Sequence, residues 1–173
     1  ADTVGAATYS RTDSQAAFEA FTREAAAFDA AFGAARSRRQ GWLALAGQRL
    51  RLRIAGGALA EAIVDAFAHV SAGPDAAEPD AAPKAPLPST LEPALTIDVW
   101  HEDVAGAAMP PAGEVWDRAR SEDGRFFQTA TPQISTWLDR TGGRLVARVR
   151  SARRLSPGAL YQPFSDLLAL WLA

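Results

Sequence analysis

The sequence predicts an α+β domain: a mainly antiparallel sheet (hairpin, strand and meander) with an N-terminal, a middle and a C-terminal helix. Three observations carry this. Apolar residues recur at helical spacing in three separate segments, and between those segments they alternate with period two. The resulting order, helix, hairpin, helix, strand, meander, helix, suits an antiparallel sheet with helices on one side or at its ends. A chain of 173 residues, 48% hydrophobic and 22% charged, can bury one substantial core, so positions 1–173 are expected to form a single domain.

The first helix is expected from about Asp13 to Arg38. Phe18, Phe21, Phe28 and Phe32 make its core-facing stripe, Ala25 fills it, and Glu19, Arg23, Glu24 and Asp29 occupy polar positions. The run GWLALAGQRLRLRIAGG then alternates, with Leu43 and Leu45 before a Gly47-Gln48 turn and Leu50, Leu52 and Ile54 after it, which is a β-hairpin. Helical spacing returns through Leu59, Ile63, Phe67 and Val70, and Gly73-Pro74 ends it. From about 71 to 94 the prolines stand too close together for helix or ladder. We read this as an internal loop, because ALTIDVWHED directly after it supplies a strand that the hairpin needs to bury its faces. A second polar loop runs roughly from Glu102 to Gly124. RFFQTATP and QISTWLDRTGGRLVARVRSA then form a meander that turns at Thr141-Gly142-Gly143. The closing helix starts near Ser156-Pro157 or restarts at Pro163, since proline is welcome only in a first helical turn.

Composition excludes more than it selects. A net charge of −2 gives no global attraction to nucleic acid, and the absence of cysteine rules out disulfides and thiolate chemistry. The N-terminal ADTVGAATYSRTDSQ lacks a signal-like apolar run, and no later stretch is long enough to span a bilayer, so a cytoplasmic protein with no membrane partner is expected.

Catalytic signatures are sparse. There is no P-loop: Gly56-Gly57 and Gly142-Gly143 lack a following lysine, and neither pair is expected to open a helix after a buried parallel strand. His69 and His101 are the two histidines, and His69 reads as a residue near a helix end. Asp98, His101, Glu102 and Asp103 gather around a strand end, where a small enzyme could aim carboxylates at one point; a strand ending in solvated charge is the simpler account. No catalytic, cofactor or metal residue is assigned.

Arginines are more regular. Arg49, Arg51 and Arg53 alternate with Leu50, Leu52 and Ile54, while Arg144, Arg148 and Arg150 alternate with Leu145, Ala147 and Val149. If both strands lie in one sheet, these six could form an exposed platform for a carboxylate, a phosphate or an acidic peptide. The simpler account is a solvated outer face balanced by Asp and Glu from neighbouring strands and loops.

The last helix is apolar on several sides. Phe164, Leu167, Leu168 and Trp171 make one stripe while Leu170 and Leu172 point elsewhere, so part of it is expected to remain for a partner domain or a second copy. The ending SARRLSPGALYQPFSDLLALWLA resembles the segment that leads into the kinase domain of bacterial proteins related to HPr serine kinase. The resemblance rests on Tyr161, Pro163, Phe164, Leu167, Leu168, Trp171 and Leu172, with weaker support from QRLRLRI and LTIDVW. It implies a non-catalytic accessory domain, joined in cis to an ATP-dependent serine kinase and helping to position its protein or peptide substrate. The family's ATP- and magnesium-binding residues belong to the part after this segment, so no cofactor and no catalytic residue is carried over to this chain.

Overall fold

The computed structural model describes residues 9–67, 92–102, 104, 118–150 and 156–173. Among them, eight strands form one sheet: β1 (Ser10–Thr12), β2 (Arg38–Leu45), β3 (Gln48–Ala55), β4 (Leu95–His101), β5 (Arg118–Ser121), β6 (Phe126–Ala130), β7 (Ile134–Asp139) and β8 (Arg144–Val149). Their spatial order is β1-β5-β6-β7-β8-β4-β3-β2. Three helices, α1 (Ser14–Ala34), α2 (Gly57–Phe67) and α3 (Pro157–Leu172), complete the α+β architecture. No helix among the described residues is long and apolar enough to cross a membrane.

The hairpin β2–β3 and the meander β5–β6–β7–β8 are antiparallel, as expected. The sheet as a whole is mixed, because β4 runs parallel to both of its neighbours, β3 and β8, and β1 runs parallel to β5. Helix α2 explains the first of these pairings. A helical crossover returns the chain to the end where the preceding strand began, so the next strand must run the same way.

Helix placement also departs from expectation, because helices cover both faces. Leu50, Leu52, Ile54, Leu95, Ile97, Val99, Leu145, Ala147 and Val149 point to one side and pack with Leu59, Ile63 and Phe67 of α2 and Leu160, Phe164, Leu167 and Leu168 of α3. Ala55, Trp100, Phe126, Trp137 and Val146 point to the other and pack under Phe21, Ala25, Phe28 and Ala31 of α1. Central strands carry the reason: in β4 every residue from Ile97 to Trp100 is buried, and a strand buried on both faces needs a layer on each.

Several boundaries differ from the sequence reading. Helix α1, whose N-cap Asp13 accepts from the Ala16 N–H at 2.9 Å, stops at Ala34, and Arg38 already belongs to β2. Glu24 is on the buried side of α1 and not among its solvated positions. The hairpin turn is Ala46-Gly47, one residue earlier than expected, with φ of 50° and 77°, the positive pair that a two-residue turn between twisted strands requires. Strand β5 lies inside the expected polar loop; its alternation is hidden in RARS, where Ala119 and Ser121 are the buried residues. Helix α3 runs unbroken from Pro157 with Ser156 as N-cap, and Pro163 sits inside it, so the earlier of the two expected starts is the one adopted. His69, the expected helix end at Val70 and Gly73-Pro74, and Asp103, with most of the proline-rich segment, lie outside the described residues.

Candidate functional site

Strands β3, β4 and β8 are adjacent, so the two arginine sets share one sheet and project toward its α1 side. Asp98 of β4 stands between them. Its carboxylate is fully buried and accepts from Arg53 Nε and Nη2, each at 2.6 Å, and from Arg144 Nε at 2.8 Å. Asp29 of α1 closes the group from above, 2.9 Å from Arg144 and 3.5 Å from Arg53. The Arg53 guanidinium also lies over the rings of Phe28 and Phe32. Burial works against its charge, but the hydrogen bonds and attraction of Asp98 and Asp29 outweigh this and raise its pKa. A guanidinium so engaged is an internal strut between α1 and the sheet.

Arg148 is likewise enclosed, only 8% exposed, with its Nη2 3.6 Å from Glu24 and its guanidinium over the Trp137 ring. Burial raises the Glu24 pKa, and Arg148 and Arg23 only partly offset it. Arg150 pairs with Glu102 at 3.0 Å. The exposed six-arginine platform is therefore divided: Arg53, Arg144 and Arg148 are covered and paired beneath α1, and their counter-charges come from that helix as well as from Asp98.

Arg49 and Arg51 are placed differently. Arg49 lies over the exposed Trp42 ring at 4.2 Å, and Arg51 Nη2 donates to Gln40 Oε1 at 2.9 Å. No ion pair of either arginine with a carboxylate is among the described contacts, and the Arg51 Nε is buried without a hydrogen-bond partner. Trp42 and Gln40 were not singled out by sequence reasoning. The available signal was their parity: they fall on the opposite face of β2 from Leu43 and Leu45, which places them beside the arginines.

The residues around the end of β4 are separated by the strand itself. Alternation puts Asp98 and Glu102 on the α1 side and His101 on the side of α2 and α3, and Asp98 and Glu102 lie about 13 Å apart along an extended backbone. No metal-holding cluster of carboxylates and histidines occurs among the described residues. Contrary to expectation, Gly56-Gly57 does open a helix after a buried strand with parallel pairing: β3 ends at Ala55 and α2 starts at Gly57. Gly56 has φ 115°, a conformation that favours glycine, while a Cβ on Gly57 would stand 2.9 Å from Ser37 Oγ, so backbone conformation accounts for the first glycine and close packing for the second. No lysine follows them.

In α3, Phe164, Leu167 and Leu168 are buried against the sheet and α2, Leu170 and Trp171 are half-buried, and Leu172 is 44% exposed. Phe67 meets both Tyr161 and Phe164 edge-on, at 5.2 and 5.3 Å between ring centres. The helix thus has one side sunk in the core and an apolar end reaching solvent. Comparison with protein-family models, with curated proteins and with solved structures finds no match.

Proposed function

We propose that the chain is a non-catalytic accessory domain that packs, through the end of α3, against an ATP-dependent serine-kinase module of the HPr-kinase-related type and helps hold that module's protein substrate. One observation supports the docking half: the residues that carry the resemblance are those of α3, and this helix ends with Leu170, Trp171 and Leu172 incompletely covered. Such a division of labour is physically sound, since phosphoryl transfer depends on positioning and electrostatics, and a companion surface can raise local substrate concentration without touching the phosphate. The reading implies a cytoplasmic protein whose ATP and magnesium sites belong to the module and not to this chain.

The test is to titrate the chain into the ATP-dependent module of an HPr-kinase-related protein, following complex formation by sedimentation. Saturable association is expected, and Leu172→Lys should weaken it by about tenfold, because a charge then replaces an apolar contact. Calorimetry of the chain alone with Mg-ATP should show no saturable heat. Association that Leu172→Lys leaves unchanged would remove the docking role, and a micromolar ATP site on the chain would remove the non-catalytic one.

A further inference from the structure

We infer that the free edge of β2 binds an extended acidic segment of a protein partner as an added strand, with carboxylates of that segment on Arg49 and Arg51. This deepens the substrate-holding half of the reading above, and it is measured on the chain alone, so its failure and the failure of α3 docking are separable.

Among the described residues β2 is the last strand of the sheet, paired on one side only, and its register with β3 is unbroken from Arg38↔Ala55 to Leu45↔Gln48. It carries neither the proline nor the bulge that commonly blunts an edge. The Gly56 N–H donates to the Ser37 carbonyl at 2.9 Å, which fixes the parity of the ladder. Odd-numbered residues from Arg39 to Leu45 face β3, so the main-chain N–H and C=O groups of Arg38, Gln40, Trp42 and Ala44 face outward.

The side chains of those outward-facing residues share the sheet face of Arg49 and Arg51. Both arginines lean across β2: Arg51 reaches Gln40 Oε1, and Arg49 lies on the Trp42 ring. Their guanidiniums are thereby held above the strand next to which an incoming strand would run, about 4.8 Å further out. Each guanidinium offers five N–H donors, and Gln40 takes one from Arg51; the Arg51 Nε is buried without a partner, so the remaining Nη donors are those an incoming carboxylate would meet. Arg53, by contrast, is committed to Asp98 and Asp29.

Charge selects the occupant. From Arg38 to Ala55 the hairpin holds five arginines, Arg38, Arg39, Arg49, Arg51 and Arg53, and no acidic residue. A second copy pairing through β2 would bring the same arginines and repel; an acidic strand would complement them. Because side chains on one face of a strand recur every second residue, the matching segment carries acids at alternate positions.

The probe is a fluorescein-labelled octapeptide alternating Glu and Val, compared by anisotropy with its Lys-Val counterpart and with two Glu-Val versions, one N-methylated at the Glu residues and one at the Val residues. The Glu-Val peptide should bind saturably and more weakly as salt rises, the Lys-Val peptide should not bind, and N-methylation should abolish binding in the register that blocks the edge. Arg49→Gln with Arg51→Gln should weaken the Glu-Val peptide by at least about tenfold, the scale of two charged hydrogen bonds. Gln40→Pro should weaken it by at least about fivefold, since it removes an outward-facing N–H and the Oε1 that holds Arg51 while sparing the β3 ladder. Should Gln40→Pro fail to fold, the N-methylated peptides test the same hydrogen bonds on the native chain. Equal binding of the Glu-Val and Lys-Val peptides, indifference to N-methylation in both registers, or self-association through β2 seen in sedimentation would each overturn the inference.

Discussion

Asp98→Asn isolates the contact that decides which arginines are free. The carboxylate is fully buried between Arg53 and Arg144, whose side chains are 18% and 26% exposed, and it accepts three hydrogen bonds of 2.6 to 2.8 Å. An amide of the same shape can still accept from Arg53 Nε. Its nitrogen, however, then stands where Oδ2 accepted from both Arg53 and Arg144, so two donors meet a donor and two largely covered cations are left to share the half-exposed Asp29 as counter-charge. Breaking a buried pair in this way costs about 3–5 kcal/mol. For a chain of this size a kilocalorie moves the melting point by about 2–4 °C, so a fall of roughly 6–20 °C is expected. Urea and thermal unfolding followed by circular dichroism at neutral pH measure it. Adding Arg144→Gln should recover part of the loss, because one under-compensated cation is removed and Asp29 then serves Arg53 alone. A cost below about 1 kcal/mol, the value of an exposed pair, would refute the view that this cluster clamps α1 to the sheet.

Two further outcomes follow from the β7–β8 turn. Gly143→Ala should cost more than about 2 kcal/mol in urea unfolding, because φ is 62° and an added Cβ would stand 2.8 Å from the Ala94 carbonyl oxygen. As a control, Gly124→Ala in the β5–β6 turn, at φ 71° with open space around it, should cost only the conformational part, about 1 kcal/mol. Burial works to raise the Asp139 pKa, but hydrogen bonds from Arg125 and the Gly142 and Thr141 amides, with the Arg125 charge, win and hold it below the ordinary carboxylate value. Its stabilisation is therefore present above the unfolded-state pKa and is lost as pH falls through the lower folded-state value. Acid unfolding of Asp139→Asn should lack that part of the slope, and an unchanged slope would exclude Asp139 as its source.

Much of the fold was legible because it is local. The phenylalanine stripe of α1, the alternation of β3 and the Thr141-Gly142-Gly143 turn each sit in a single window of sequence, and Ser156-Pro157 carries its own start signal. The pairing of β4 with β8 was not legible, because β8 joins from far along the chain, whereas the parallel pairing of β4 with β3 was implied by the hairpin–helix–strand order and was missed. Glu24 illustrates the boundary between the two. Standing three residues after Phe21 and four before Phe28, it occupies the buried stripe by spacing alone; what spacing cannot supply is Arg148, the cation that makes a carboxylate tolerable there. The arginine sets show the same limit, since alternation gives their face but not what covers it.

The cover is set by dimensions. A helix of 21 residues is about 31 Å long and about 10 Å wide, while eight strands span about 34 Å, so one helix can cross such a face but cannot roof it. Helix α1 spends its length on β3 to β8, where Trp100, Trp137 and Phe126 need burial. It meets the β3 arginines only at Arg53, the one nearest the β3 C-terminus. Toward the hairpin turn the same strand continues past the helix, and there Arg51 and Arg49 turn sideways onto Gln40 and Trp42 of the outermost strand. The regular run of arginines is therefore cut in two by packing: Arg53, Arg144 and Arg148 hold the helix to the sheet, and α1 leaves Arg49 and Arg51 beside β2, whose outer edge is unpaired among the described residues.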